Sequence, residues 1–369
     1  MTPINILHIT YDMRIGGTEM VIKNIIDSSD PRQYNMSVFC IEAPLGPWGQ
    51  QMQENGLKVY MHPRQPGFDR SLISAIANCV KANNIDIVHC HQYTPWVYGT
   101  LACALGKTRV IFTEHGRFYP DSSSWKRRFV NPILAALTHK ITAISKATKQ
   151  ALVDYEFLRA SKIEVIYNGI TGIESNPKAK QSIREELGIS ANTFLLGTVA
   201  RLDPIKNHLM MIKGVKRCIN QGLDVHLVIV GDGEMRGDIT ELISTFKLHK
   251  HVSLVGYKTN PSEYLNAFDL YLLTSFSEGT SMTLLEAMSI GLPSIATKVG
   301  GNPEIIVHNE NGRIIASDDD LALYEQISAL MQNNSIMQAY SDDNLHKFDQ
   351  HFTGKIMCQQ YANLYAVPK

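Results

Sequence analysis

The chain has 369 residues, of which 44% are hydrophobic and 19% charged, and its formal net charge is zero. That length suits two domains of ordinary size, each able to bury a core, and the charge balance excludes a globally basic nucleic-acid binder. No run approaches the roughly eighteen apolar residues that a membrane-spanning helix needs.

The cysteines (Cys40, Cys79, Cys90, Cys103, Cys218 and Cys358) are scattered without CxxC spacing, so reduced thiols and a cytoplasmic setting are expected. Met1–Thr10 lacks a basic stretch leading into a long apolar run and reads as a first strand, not as a secretory signal. In chain order, further strands are expected at 36–41, 57–61, 85–91, 110–113, 141–144 and 163–166. After a polar stretch around Gly172–Lys180 the pattern restarts, with strands at 195–200, 225–230, 252–255, 270–274 and 294–297. Most are nearly continuous in Val, Ile and Leu, as in parallel strands covered by helices on both faces. The fold class is therefore α/β, two doubly wound Rossmann-like domains, with the boundary near residue 175: 1–175, then 176–353, with 354–369 as a last helical stretch.

Ligands of open α/β sheets sit beyond the carboxyl ends of the strands, where the candidates are Gly16-Gly17, His91, His115, Arg201 with Lys206, Gly231 and the loop holding Glu278. A glycine pair before a helix lets backbone N–H groups approach an anion, although an ordinary turn has the same sequence. The strict GxGxxG is absent, which argues against a dinucleotide fold. In Ser277–Glu286 a helix should start near Ser281 or Met282 and stop at Gly291, before Pro293. Glu278 then lies on the loop and Glu286 on the helix. Two such carboxylates can accept hydrogen bonds from a sugar on one side and a ribose on the other, with a diphosphate on the N–H groups between them. A capping acid plus a surface glutamate would look the same. Arg201 and Lys206 at a strand end suit a leaving diphosphate, and a solvated surface pair is the plainer alternative.

His89 and His91 share one face of a strand while Cys90 points away. No third ligand stands at recognisable spacing, so a zinc site is rejected and no metal is expected. His115, in Thr113-Glu-His-Gly116, follows its own strand and is the better functional candidate. Gly231-Asp-Gly-Glu-Met-Arg-Gly237 reads as a tight strand–helix turn.

Taken in order, the glycine pair, Thr113-Glu-His-Gly116, Val165-Ile-Tyr-Asn-Gly-Ile170, Arg201 with Lys206, Gly231-Asp-Gly233, and Glu278-x7-Glu286 followed by Gly291-Leu-Pro293 resemble the retaining glycosyltransferases of family 4. The resemblance covers nearly the whole chain. It implies the GT-B fold, with two Rossmann-like domains facing a central cleft: an N-terminal acceptor domain, a nucleotide-sugar domain, and a last helix, 354–369, packing back on the first. It implies that Glu286 holds the ribose and Glu278 the donor sugar, and that Arg201 and Lys206 neutralise the diphosphate. Backbone groups at Gly16, Gly17, Gly231, Gly279, Thr280, Ser281, Met282 and Thr283 would assist, His115 would approach the sugar or its phosphate, and Tyr257 and Lys258 would pass the base. The implied substrates are a nucleotide sugar, UDP-linked and of hexose type, and a glycan or lipid-linked acceptor of cell-surface polysaccharide synthesis such as lipopolysaccharide or capsule. Transfer would proceed with retention, by same-face attack, without metal or cofactor. One departure is Asn168-Gly-Ile-Thr171, where the family often has an Asp.

The rivals are an epimerase of the same fold, which would act without an acceptor, and a non-catalytic partner subunit. Intact Glu278, Glu286, Arg201 and Lys206 argue against the second. Beyond His115 lie Arg117, Tyr119 and then Trp125, Lys126, Arg127, Arg128 and Phe129. This basic–aromatic segment is expected to meet the acceptor or an anionic membrane surface on the cytoplasmic side. A solvated helix start with Trp125 and Phe129 packed inward is the alternative.

Overall fold

The computed structural model describes residues 3–116 and 123–366. They divide into two compact units, residues 1–169 with 354–369, and residues 170–353. In the first unit strands and helices alternate: β1 Ile4–Thr10, α1 Gly17–Ser28, β2 Tyr34–Cys40, α2 Pro47–Glu54, β3 Lys58–Met61, α3 Arg70–Ala82, β4 Ile87–His91, α4 Tyr93–Cys103, β5 Arg109–Glu114, α5 Arg127–Leu137, β6 Lys140–Ala143, α6 Lys146–Glu156 and β7 Ile163–Val165. The second unit continues with α7 Pro177–Leu187, β8 Phe194–Val199, α8 His208–Asn220, β9 Val225–Val230, α9 Arg236–Thr245, β10 Val252–Gly256, α10 Ser262–Ala267, β11 Leu270–Leu273, α11 Met282–Ser289, β12 Ser294–Thr297, α12 Asn302–Ile305, β13 Arg313–Ile315, α13 Asp320–Met331 and α14 Asn334–His351. The last helix, α15 Gly354–Tyr365, belongs to the first unit.

All strand pairs are parallel, in a seven-stranded sheet ordered β3-β2-β1-β4-β5-β6-β7 and a six-stranded sheet ordered β10-β9-β8-β11-β12-β13. These are two Rossmann-like sheets, each reversing direction beside its first strand, where the carboxyl ends open a crevice. The central strands are buried on both faces, which is why their sequences are continuous in Val, Ile and Leu. In the first unit Trp96 of α4 stacks on Phe112 of β5 at 4.4 Å. Gly99 of α4 lies so close to β4 that a Cβ there would stand 2.4 Å from Cys90 Sγ. Cys90 thus faces α4 and the histidines on either side of it face the other way.

The junction falls between Gly169 and Ile170, earlier than the polar stretch suggests. The Ile170 N–H donates to the Phe352 carbonyl at 3.0 Å, and Ile170 bridges to Thr353. Ile170 is therefore tied to the end of α14, whereas Gly169 lies with Asn24 of α1, whose amide donates to its carbonyl at 3.1 Å. On α15, Cys358 Sγ lies 3.6 Å from the Asn24 carbonyl. The strand the sequence did not reveal is β13, a three-residue edge strand too short to show a pattern.

Candidate active site

In the second unit the chain leaves β11 and runs through Thr274–Ser281 into α11. Ser281 caps that helix in extended backbone, its hydroxyl accepting from the Leu284 N–H at 3.3 Å. Gly291 ends it with φ +70°, a left-handed position where a side chain would also press on Ser341. Start and stop fall where the sequence placed them.

Glu278 lies on the loop with a buried carboxylate. Its Oε1 accepts from Ser275 Oγ at 2.6 Å and from Lys206 Nζ at 2.7 Å. Lys206 ends the single 3-10 turn Pro204–Lys206 that leads into α8. That turn is held against the loop by Thr274, whose Oγ1 lies 3.2 Å from the Lys206 carbonyl and 3.0 Å from the Asn207 carbonyl, and by the Phe276 N–H, which donates to the Ile205 carbonyl at 2.7 Å. Gly300 approaches from the next strand's loop with φ +48°, so close that a Cβ would stand 1.6 Å from the Glu278 carbonyl oxygen. Glu278 is thus fixed from three sides.

Glu286, on the same helix side of the loop, is held differently. Its carboxylate has no cation partner among the described residues, and burial pushes its pKa up to about 7. Thr283, one turn before it, hydrogen-bonds Tyr271 OH through Oγ1 at 2.7 Å.

The other predicted donor residues divide. Gly231 and Gly233, with φ +143° and +156°, lie against the backbone of the 200–202 segment, where a Cβ would stand 1.9 Å from Ala200 O and 2.4 Å from Leu202 O. They allow the loops after β8 and β9 to touch. Arg201 does not join Lys206: its Nε donates to Asp203 at 2.8 Å and its side chain is 78% exposed. Asp203, two residues away, holds the guanidinium much as Glu278 holds the Lys206 ammonium. Tyr257 is exposed, and Lys258 lies over the Tyr264 ring at 5.2 Å with Glu186 3.8 Å away, so its ammonium is drawn to α7 and α10. An open hollow of about 760 Å³ lined by Asn309, Arg313, Tyr340, Lys347 and others lies on α14, apart from all of these residues.

In the first unit, Gly16 caps α1 without a side-chain bond and Gly17 begins it. The Glu19 carboxylate folds over this terminus, 2.5 Å from where a Gly16 Cβ would stand, and burial raises its pKa. An acid of the chain itself therefore stands where the glycine pair was expected to admit a phosphate.

Below that loop lies an array of histidines. His8 of β1 is the register partner of His89 of β4, so both point to one face with His91 two residues on. His8 Nδ1 is 3.0 Å from His91 Nε2, and His91 Nδ1 is 2.9 Å from His115 Nε2. His89 is bound on both nitrogens, to Tyr365 OH of α15 at 2.8 Å and to Thr113 Oγ1 at 2.7 Å. Burial lowers the pKa of His8 and of His115 to about 3 and those of His89 and His91 well below the usual value. His8 is the third imidazole that spacing along β4 could not reveal, because only the β1–β4 register brings it there.

Arg117 and Tyr119 lie outside the described residues. Trp125 and Phe129 do not pack inward: they are 72% and 63% exposed, in edge-to-face contact with each other at 6.1 Å. Ile133 and Leu137 continue the same exposed stripe along α5. Lys126 and Arg128 are exposed beside it. Arg127 is not part of a surface patch, because it pairs with the buried Glu156 at 2.7 Å and lies over the Tyr93 ring at 4.7 Å.

Residues 15–171 match the family model described as Glycosyltransferase Family 4, and residues 179–347 match Glycosyl transferases group 1. The chain belongs to the family 4 glycosyltransferases. Among the relatives of this family 4 glycosyltransferase is the Escherichia coli UDP-Gal:alpha-D-GlcNAc-diphosphoundecaprenol alpha-1,3-galactosyltransferase, 28% identical over 331 residues that cover 86% of this chain and 85% of the relative. Another is N-acetyl-alpha-D-glucosaminyl L-malate synthase of Bacillus anthracis, 25% identical over 81% of this chain and 79% of its own. The crystal structure of Anabaena HepE in complex with UDP matches with a TM-score of 0.87 at 22% identity, covering 99% of this chain and all of the other. The shared fold is GT-B.

Proposed function

We propose that this glycosyltransferase moves a hexose-type sugar from a UDP-sugar to a glycan or lipid-linked acceptor, with retention of anomeric configuration and without a metal ion. The observation that carries the reading is the unequal state of the two glutamates on one loop and helix. Glu278 is neutralised by Lys206, while Glu286 is half-buried with no cation partner among the described residues. A lone buried carboxylate is satisfied by neutral donors such as the vicinal hydroxyls of a ribose. Sugar hydroxyls arriving at Glu278 would free Lys206 to meet the diphosphate, where it counters the charge that grows as the leaving group departs. With Glu278 tied to lysine and serine, it suits a hydroxyl clamp better than a nucleophile, which favours same-face attack by the acceptor. The first unit is proposed to take the acceptor. A uridine nucleotide and a lipid-linked acceptor are favoured by the UDP in HepE and by the E. coli relative's name.

Among the described residues no helix is long and apolar enough to cross a membrane. The exposed stripe of α5, flanked by Lys126 and Arg128, supports peripheral contact with anionic lipid on the cytoplasmic side, next to the acceptor.

A thermal-shift screen of nucleotide sugars tests the donor. A ligand at a hundred times its dissociation constant adds about 2.7 kcal/mol of stability. The reaction is then followed by NMR in the presence of a metal chelator, with an α-linked product expected from an α-linked donor. A β-linked product refutes retention, loss of activity with chelator refutes metal independence, and sugar conversion without acceptor supports the epimerase.

A further inference from the structure

The His8–His91–His115 chain has an internal logic that does not depend on sequence spacing. A neutral imidazole carries one N–H and one lone pair, on different nitrogens. His8 meets His91 through Nδ1 on one side and Nε2 on the other, and His91 meets His115 in the same sense. If both hydrogen bonds are made, the tautomers cannot be chosen separately: all three rings carry their proton on Nδ1, or all three on Nε2. The free ends decide between the two arrangements. His8 Nε2 and His115 Nδ1 are both buried atoms without a partner. In the all-Nε2 arrangement the unpartnered N–H is on His8, which is fully buried. In the all-Nδ1 arrangement it is on His115, whose Nδ1 is equally buried but whose residue is partly exposed where His8 is not, so a bound ligand oxygen can accept there and the end left orphaned, at His8, is a lone pair. A buried N–H without an acceptor is rarer, and less well tolerated, than an unfilled acceptor.

We propose that His8 and His91 lock His115 as its Nδ1–H tautomer, so that His115 offers a neutral hydrogen-bond donor to an oxygen of the bound substrate. This rests on the glycosyltransferase reading for the substrate, a sugar hydroxyl or phosphate oxygen, though not for the lock itself. His8 and His91 are positioning residues. Burial keeps the rings neutral, which the counting requires. His8, His89 and His91 also hold ligand atoms within 4.8 Å of one another. However, His89 has both nitrogens on hydroxyls and His91 both on imidazoles, so a metal would have to break bonds already made.

Long-range proton–nitrogen NMR of the full chain labelled at histidine nitrogen reads each tautomer directly. Three neutral Nδ1–H rings are expected, and an Nε2–H or charged His115 overturns the proposal. His91→Leu should release His115 into mixed tautomers and lower kcat by roughly tenfold or more, as for a misplaced donor, with UDP affinity unchanged. His91→Gln should restore both the tautomer and kcat, because its carbonyl accepts from His8 and its amide donates to His115. A merely structural role would show instead as a lower melting temperature with His115 still locked and kcat intact. Stoichiometric zinc in the purified protein, lost in His8→Phe, would also overturn the lock in favour of a metal centre. Absence of turnover with every nucleotide sugar, with the lock intact, would count against the functional reading alone.

Discussion

Lys206 Nζ lies 2.7 Å from Glu278 Oε1, so the cation expected to stabilise a leaving diphosphate is bonded to the carboxylate expected to grip the sugar. The pair keeps two charged groups that are shielded from water from standing alone.

Lys206→Ala should therefore do two things at once. It should raise the barrier to transfer by about 2–4 kcal/mol, the cost of losing one preorganised charge contact. It should also destabilise the protein by roughly 1–3 kcal/mol, because Glu278 is left buried and unpaired. Adding Glu278→Gln to that variant should restore stability without restoring kcat. Denaturant unfolding beside steady-state kinetics separates the effects, and a double variant no more stable than Lys206→Ala shows that the pair does not hold the loop.

The glutamates should divide the ligand between them. Glu286→Ala is expected to weaken binding of UDP itself, since the ribose is present with or without a sugar. Glu278→Ala should leave UDP binding nearly intact while impairing transfer. Calorimetric titration decides, and equal loss of UDP in both variants would remove the division.

Glu286 also has a pH signature. Its pKa rises from an ordinary 4.5 to about 7 in the fold because burial disfavours the charge. Between those values the folded state holds a proton that the unfolded chain has released, so this group's contribution to stability falls as pH rises, and stays reduced above about 7. Glu286→Gln should then be more stable than the wild type at alkaline pH by on the order of 2 kcal/mol and equal to it in acid below the unfolded value. Bound ribose hydroxyls favour the ionised carboxylate, so UDP affinity should increase as pH rises through about 7, and lose that dependence in the glutamine variant. Parallel melts across pH check the first claim and titrations the second; matching stability curves for variant and wild type would mean that the carboxylate is solvated.

Much of this was legible because it is written locally. Val, Ile and Leu runs announced the buried parallel strands, and Ser281 with Gly291 announced the ends of α11, since capping depends on residues a few positions apart. What escaped depends on register or competition. His8 looked like one polar residue in an apolar strand until β1 paired with β4. Ser275 gave no sign that it would bond Glu278. Arg201 gave no sign that Asp203 would hold its guanidinium. For Trp125 and Phe129 the sequence left a membrane or acceptor surface and inward packing both open, and only the fold shows that they face outward, in line with Ile133 and Leu137.

That outward stripe yields the last prediction. A helix in a water-soluble unit normally turns its apolar face to the core, whereas α5 buries Leu134 and the polar Asn131 and presents its apolar row to solvent. Rings at Trp125 and Phe129 can enter a headgroup layer, with Lys126 and Arg128 beside them to meet anionic lipid at about 1 kcal/mol each. Since the chain has no net charge, the attraction is local and should fade with salt. Arg127 must be left in place, because it closes an ion pair with Glu156 and its loss would report on folding. Lys126→Ala with Arg128→Ala should weaken binding to phosphatidylglycerol vesicles at low salt, while Trp125→Ser with Phe129→Ser should abolish what remains at high salt. Neither pair should shift the melting temperature, since all four side chains are exposed. Vesicle co-sedimentation at two salt concentrations reads both. A bound fraction unchanged by either pair would detach α5 from any membrane and leave the donor site as argued.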